Sequence, residues 1–315
     1  MNKRLVIVSG NLGYLGPIVV KGLRDRNYIV VGVDTEMYPA SIPFAYLPDV
    51  QVSHPNQILS IFAEPRAVVH LAALSNDPMG ELDHRLTYDT NVGLAAELAS
   101  LFPEAHQILA SSASVYGINP DTCVEHTPLN PLTAYADSKI KAERILESIT
   151  GTAAFLRFGT LWGDAPNFRI DLAINHFALE AALSGKIEPL SNARRPVLHV
   201  QDAADAIVKV VDGGPSVYHG IYNIATENIQ MFNLAERMAE EYNVEFVKDD
   251  TLADSDRRSY FVGTLREPHL INGSPRVTSD SALLQRLYAC ADKNKTKPAR
   301  IDELKKLLAN EGNNQ

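Results

Sequence analysis

The sequence predicts an α/β protein: a doubly wound parallel sheet in the first half and a smaller C-terminal α/β lid. Three observations carry this expectation. Short β-branched runs alternate with longer helical patterns through the first 160 residues. The runs lack a clear apolar–polar alternation, as strands buried on both faces do. The connections are short, which favours βαβ units with parallel pairing.

In order, strands are expected at Arg4–Ser9, Ile29–Val33, Val50–Ser53, Ala67–Leu71, Gln107–Ser111 and Ala153–Arg157. Helices are expected between them at Tyr14–Asp25, Pro55–Phe62, Tyr88–Leu101 and Pro131–Ile149. From about Thr160 the Pro and Gly punctuation thickens. Helices at Asp171–Leu183, Gln201–Asp212, Asn233–Tyr242 and Ile301–Ala309 are then separated by irregular stretches. Asp249 to Asp280, which opens with a cluster of charges, reads as loop. The chain thus divides into residues 1–160 and 161–315, with some elements of the second unit returning to the first. No fixed-period repeat appears, and the polar residues 310–315 read as a frayed end.

Composition narrows the function classes. With 45% hydrophobic and 21% charged residues, the 315-residue chain is neither disordered nor fibrous. Its net charge of −9 argues against nucleic acid or anionic membrane as partner, so an anionic ligand must meet a local cluster of arginines or backbone N–H groups. Two cysteines, Cys123 and Cys290, fit a reducing compartment and cannot build a zinc site alone, so no metal is expected. The apolar runs are too short to span a bilayer, and Lys3-Arg4 precede no signal-peptide core. Cytoplasm is the expected location.

The first strand runs into Gly10-Asn11-Leu12-Gly13-Tyr14-Leu15-Gly16. Three glycines between a strand and a helix permit positive φ, bring backbone N–H groups near a pyrophosphate, and start the helix close to the sheet. Asp34 ends the second strand, 24 residues after Gly10 and 18 after Gly16. A carboxylate there accepts the adenosine ribose hydroxyls and repels a 2′-phosphate, which favours NAD over NADP. A solvated loop acid is the plainer reading of Asp34, as a tight turn is of the glycines.

Tyr135 and Lys139 share one face of a predicted helix, one turn apart. Free tyrosine, with a pKa near 10, is a poor base at neutral pH. Lowering it by about three units takes roughly 4 kcal/mol of differential stabilisation, which an ammonium and an oxidised nicotinamide ring favour. Ser112, 23 residues earlier, stands at the carboxyl end of a strand, where parallel sheets open to their ligands. Ser111 and Ser114 read more readily as local turn residues.

In sum these residues resemble the extended short-chain dehydrogenase/reductase family, in its nucleotide-sugar epimerase/dehydratase branch similar to UDP-glucose 4-epimerases. Further markers are His70-Leu71-Ala72-Ala73, Asn91, Arg157 in Leu-Arg-Phe-Gly, Arg195 in Arg-Pro-Val-Leu-His-Val, and Tyr222-Asn223-Ile224. The resemblance implies a Rossmann-type fold, with residues 1–160 binding NAD and 161–315 mainly binding the nucleotide sugar. It gives Gly10, Gly13, Tyr14, Leu15, Gly16, Asp34, Leu71, Ala72, Ala73, Asn91, Tyr135 and Lys139 to the cofactor. Ser112, Tyr135 and Lys139 become catalytic, and Ser75, Ser112, Asn175, Arg195 and Arg258 meet the substrate. Guanidinium forks suit a diphosphate. His199, within an apolar stretch, reads as a packing residue. The chain departs from many relatives at Val52-Ser53-His54-Pro55, which lacks the acid that holds adenine, and at Thr160, where many epimerases carry Asn. A homodimer through the helices at 88–101 and 131–149 is implied by resemblance only.

The reaction follows by elimination within that resemblance. A 4,6-dehydratase carries an Asp-Glu pair after the catalytic hydroxyl residue, where this chain has Ala113 and Ser114. The glutamate of the decarboxylating relatives and the cysteine of the 3,5-epimerase–reductases are missing there too. Epimerisation at C4 through a transient 4-keto sugar remains, with NAD retained. Reduction of a preformed keto sugar by NAD(P)H stays open, as does a non-catalytic dinucleotide-binding regulatory subunit.

Overall fold

The computed structural model describes residues 2–35, 42–59, 64–75, 81–248, 258–266 and 270–271. Its centre is a parallel sheet formed by β1 (Asn2–Ser9), β2 (Ile29–Val33), β3 (Val50–Val52), β4 (Pro65–His70), β5 (His106–Ser112), β7 (Ala154–Phe158) and β11 (Gly220–Ile224). Their spatial order is β11-β7-β5-β4-β1-β2-β3. Strand order reverses between β1 and β4, whose ends Ser9 and His70 stand in register. A crevice for a ligand opens beyond the carboxyl ends at such a point.

The strands read as unbroken apolar runs because both faces are covered. In β1, Val6 and Val8 face the cluster with α1 (Gly16–Asp25), whereas Leu5 and Ile7 face the cluster containing Leu98 and Phe102. Every one of these four is fully buried. The period-two side-chain rule thus places consecutive valines and isoleucines in two separate cores.

The expected strands occur, Ile29–Val33 with the same ends and the others with ends moved by one or two residues. Helix α2 (Asn56–Leu59) occupies the start of the expected Pro55–Phe62, whose residues from 60 onward lie outside the described ones. The expected Tyr88–Leu101 helix begins earlier, at α3 (His84–Tyr88), where the Asp83 side chain accepts the Leu86 N–H. It widens to a π turn at Asp89–Gly93 before α4 (Leu94–Leu101). Helix α5 (Ala134–Thr150) starts three residues later than expected, because Thr133 is extended and its hydroxyl caps Ala136 N. Gly151, at φ 65°, ends it.

Among the described residues three smaller sheets join the central one, two of them built wholly beyond Phe158. Strand β10 (Arg194–His199) lies between β8 (Thr160–Trp162) and β12 (Glu227–Gln230). Two parallel pairs join β9 (Lys186–Ile187) to β13 (Glu245–Phe246), and β6 (Ile118–Cys123) to β14 (Ser259–Val262). Helices α6 (Ala173–Ser184) and α8 (Met231–Tyr242) close a second core around Trp162, while α7 (Val200–Gly213) packs on the first core beside α1. Strand β11 and helix α7 are the elements of this half that return to the main sheet.

The stretch 249–280, expected as loop, contains strand β14. Tyr260 and Val262 alternate inward to meet Tyr116 and Ile140, and this pairing with β6 overrides the charges that precede it. The expected Ile301–Ala309 helix, the frayed end and Cys290 lie outside the described residues. Among the described residues no helix is long and apolar enough to cross a membrane. No group of three or more His, Cys, Asp or Glu side chains there is placed to hold a metal.

Candidate active site

The glycine loop leaves β1 at Gly10, whose φ of +71° is the left-handed region. A Cβ there would lie 2.5 Å from Ala72 N, so the loop and the exit of β4 touch backbone to backbone. A Cβ on Gly16 would meet Gly10 O and the Asn11 backbone, which shows how tightly α1 starts against the loop. No side chain caps that helix and no acid sits in its first turn. Its N–H groups are therefore the kind of cradle a pyrophosphate fits. Asp34 Oδ2 accepts Leu12 N at 3.0 Å, which brings the carboxylate to the loop. Tyr14 and Leu15 are buried in the first core.

Leu71, Ala72 and Ala73 follow β4 and are half-buried; Leu71 N donates to Ser9 O at 3.0 Å. Asn91, in the π turn, ties this segment to α5. Its Oδ1 accepts Leu74 N at 2.8 Å and its Nδ2 donates to Ser138 Oγ at 2.9 Å. Single π turns recur at functional sites because they re-aim one side chain.

Tyr135 stands in the first turn of α5, half-buried, with Lys139 Nζ 5.8 Å from its ring centroid. Lys139 is buried and donates to Ala110 O at 2.8 Å. Burial pushes its ammonium down to about 8, against the pull of the Glu143 carboxylate. Ser112 ends β5; its Oγ accepts Ser114 N at 3.2 Å and pairs with Ser114 Oγ at 2.8 Å. His70 at the end of β4 is buried and bonded to Gln107 Oε1 at 2.7 Å, and burial holds it down to about 4, hence neutral.

Residues of the second half bond to the glycine-loop segment. Asn175 is fully buried: its Oδ1 accepts Gly163 N at 2.9 Å. Its Nδ2 donates to Tyr14 Oη at 3.2 Å and Arg169 O at 2.9 Å. Both amide hydrogens are thus engaged within the protein. Tyr14 Oη in turn donates to Gly163 O at 2.7 Å, and Asn167 Nδ2 reaches Leu12 O at 3.0 Å. Arg195 and Arg258 come together, since Arg195 Nη1 donates to Arg258 O while its guanidinium lies 5.7 Å from the Tyr260 ring centroid. His199 packs edge-on against Trp162 and accepts Gln201 N at the start of α7.

Two features escape sequence reasoning. Arg169 grips Asp171 with two nitrogens, at 3.0 and 2.5 Å, and donates to Ser75 Oγ at 2.8 Å. Its charge also acts on Tyr14 and Tyr135, so it spans the crevice between the two halves. Ser111, expected as a turn residue, is buried and donates to Glu143 Oε1 at 2.5 Å. The Arg157 marker was the one signal for that second feature.

The profile of the NAD dependent epimerase/dehydratase family matches residues 6–225. Methionine adenosyltransferase 2 subunit beta of Bos taurus is 27% identical over 253 residues, which cover 76% of this chain and 73% of that protein. A probable UDP-glucuronate 4-epimerase of Rhizobium meliloti (strain 1021) is 27% identical over 241 residues, covering 67% of this chain and 69% of that one. Among solved structures, MoeE5 in complex with UDP-glucose and NAD shares the fold with a TM-score of 0.72 at 21% identity, over 91% of this chain and 99% of that chain. The glycine turn, the reversal of strand order and the match across both halves of the sheet lead to one conclusion: this chain belongs to the NAD dependent epimerase/dehydratase family.

Proposed function

We propose that the protein is a nucleotide-sugar 4-epimerase that keeps its NAD through turnover. What supports the reading is Tyr135 and Lys139 one turn apart on α5, with Lys139 bonded to Ala110 O two residues before Ser112 on β5. NAD, when bound, would take a hydride from a sugar carbinol and give it back to the opposite face of the resulting ketone. The Gly10–Gly16 turn and the α1 N-terminus would hold its pyrophosphate, with Asp34 on the adenosine ribose.

The protein's own groups then divide the proton work. Tyr135 Oη, as phenolate, takes the proton of the C4 hydroxyl, and Lys139 stabilises that phenolate. Ser112 Oγ hydrogen-bonds the same sugar oxygen as its charge develops. The keto sugar stays bound, presents its other face, and recovers the proton from Tyr135. Arg195 and Arg258 would fix the diphosphate meanwhile. Ala113 and Ser114 are buried in the turn after Ser112 and carry no acid to expel a hydroxyl, which favours epimerisation over dehydration.

A second reading is a dinucleotide-binding subunit without chemistry of its own. It is favoured by the relative named as subunit beta of a methionine adenosyltransferase, which matches as well as the epimerase does. One experiment separates these. The purified protein is denatured to release dinucleotide, and the native protein is given UDP-, GDP- and TDP-hexoses without added cofactor. Release of NAD with interconversion of 4-epimers is expected. Turnover only with added NAD(P)H would replace this reading with a keto-sugar reductase, and bound NAD with no turnover on any sugar would favour the subunit.

Cofactor choice rests on Asp34. Asp34→Asn, which keeps an acceptor for Leu12 N, is expected to weaken NAD about tenfold and to narrow its advantage over NADP. Calorimetric titration of both dinucleotides reads this, and an unchanged preference would remove Asp34 from the cofactor site.

A further inference from the structure

Tyr135, Lys139 and Glu143 recur every four residues, so they form a ladder along one face of α5. Two rungs are tied to consecutive residues of β5. Lys139 Nζ donates to Ala110 O at 2.8 Å, and Glu143 Oε1 accepts Ser111 Oγ at 2.5 Å. The next residue of the strand is Ser112. The two bonds therefore fix the register of α5 on β5, and with it the placement of Tyr135 relative to Ser112.

Glu143 is itself held. Arg157, in register with Ser111 on the neighbouring strand, donates Nε to Oε1 at 2.9 Å and Nη2 to Oε2 at 2.6 Å. The two side chains are 2% and 7% exposed. A buried ion pair is in general no better a stabiliser than an apolar pair of similar volume. Its position one turn from a buried ammonium gives it a different use: the charges alternate from Lys139 to Glu143 to Arg157.

Charged and titratable groups face the Tyr135–Lys139 pair from several elements, among them Arg169 of the second half, whose charge acts on Tyr135. On α5 the Tyr135 ring lies 5.8 Å away and the Glu143 carboxylate favours the charged lysine. On β4, His70 is neutral above about 4. On β5 the ammonium meets a carbonyl, and on β7 the Arg157 charge is paired with Glu143. Lys139 stands at about 8 with burial lowering it and the Glu143 carboxylate opposing that fall, so loss of the carboxylate would carry it lower still, close to neutral pH.

We propose that Glu143, held by Ser111 and Arg157, is a positioning residue for the Tyr135–Lys139 pair, keeping the ammonium charged beside the phenol and α5 in register with β5. This deepens the catalytic reading of Tyr135 and rests on it. The test uses the full chain loaded with NAD and follows ionisation of Tyr135 by ultraviolet difference spectra against Tyr135→Phe, which needs no substrate. Glu143→Gln keeps the volume and removes the charge. It is expected to raise the ionisation midpoint of Tyr135 by about one pH unit, and Glu143→Asp is expected to recover most of that shift. In turnover, Glu143→Gln lowers kcat roughly tenfold with KM unchanged, and its alkaline limb moves to lower pH because Lys139 loses its proton sooner. Ser111→Ala, which removes one holder and buries no new charge, gives a smaller shift in the same direction. Equal midpoints in wild type, Glu143→Gln and Ser111→Ala, even with lowered melting temperatures, would overturn the proposal and leave Glu143 a purely structural acid. A shifted midpoint in a protein that turns over no sugar would sink the epimerase reading and leave this one standing.

Discussion

Tyr135→Phe is expected to lower kcat roughly a thousandfold while leaving KM and bound dinucleotide near their wild-type values. The substitution removes one oxygen from the first turn of α5 and leaves the bonds that cap the helix in place. Its cap is Thr133, and Ser138 bonds the Tyr135 backbone carbonyl, not its side chain. The loss is then assignable to the proton transfer, because Ser112 and Lys139 remain. The pH profile gives a second check. Burial has lowered the Lys139 ammonium to about 8, so its charge is present below that pH and lost above it. Wild-type kcat should decline as pH rises through 8, and the residual rate of Tyr135→Phe should lack that decline. Retention of most activity by the variant would remove the phenol from the chemistry.

The parts of this site that lie on one element were legible in the sequence; those that join two elements were not. Tyr135 and Lys139 announce themselves because four residues on a helix make neighbours. The glycine turn and Asp34 do so because a strand must end and a helix begin at a set distance. The parallel sheet was visible since Leu5, Val6, Ile7 and Val8 are all buried, on alternating sides. In contrast, Arg169 reaches Ser75 across 94 positions, and no periodicity points from one to the other. Strand β6 was hidden by its polar residues and Pro120, which a mostly exposed strand tolerates. The π turn around Asn91 has the composition of ordinary helix, so only its geometry reveals it. Asn175 is the instructive case. Its amide joins Gly163, Tyr14 and Arg169, a partnership between distant segments that no pattern in the sequence shows.

Arg157→Leu should be the most destabilising substitution near the site, by about 3–5 kcal/mol, because it strands the Glu143 carboxylate in a place from which water is excluded. More is lost than one pairing. Arg157 Nη1 also donates to Tyr116 Oη at 2.9 Å and to Glu125 O at 3.1 Å. Tyr116 Oη continues to Asn223 Oδ1 at 2.8 Å, and the Glu125 carboxylate takes Asn223 N, Thr264 Oγ1 and Leu265 N. The guanidinium thus joins α5 to the segment that carries Arg258. Two costs can be separated by a double-mutant cycle in urea. Glu143→Gln combined with Arg157→Leu leaves no unpaired charge, so the double variant should recover about half of the loss seen for Arg157→Leu alone. What remains unrecovered measures the broken links to Tyr116 and Glu125. If the double variant were no more stable than Arg157→Leu, the penalty would lie wholly in those links, and the paired charges would contribute nothing to holding α5 against the sheet.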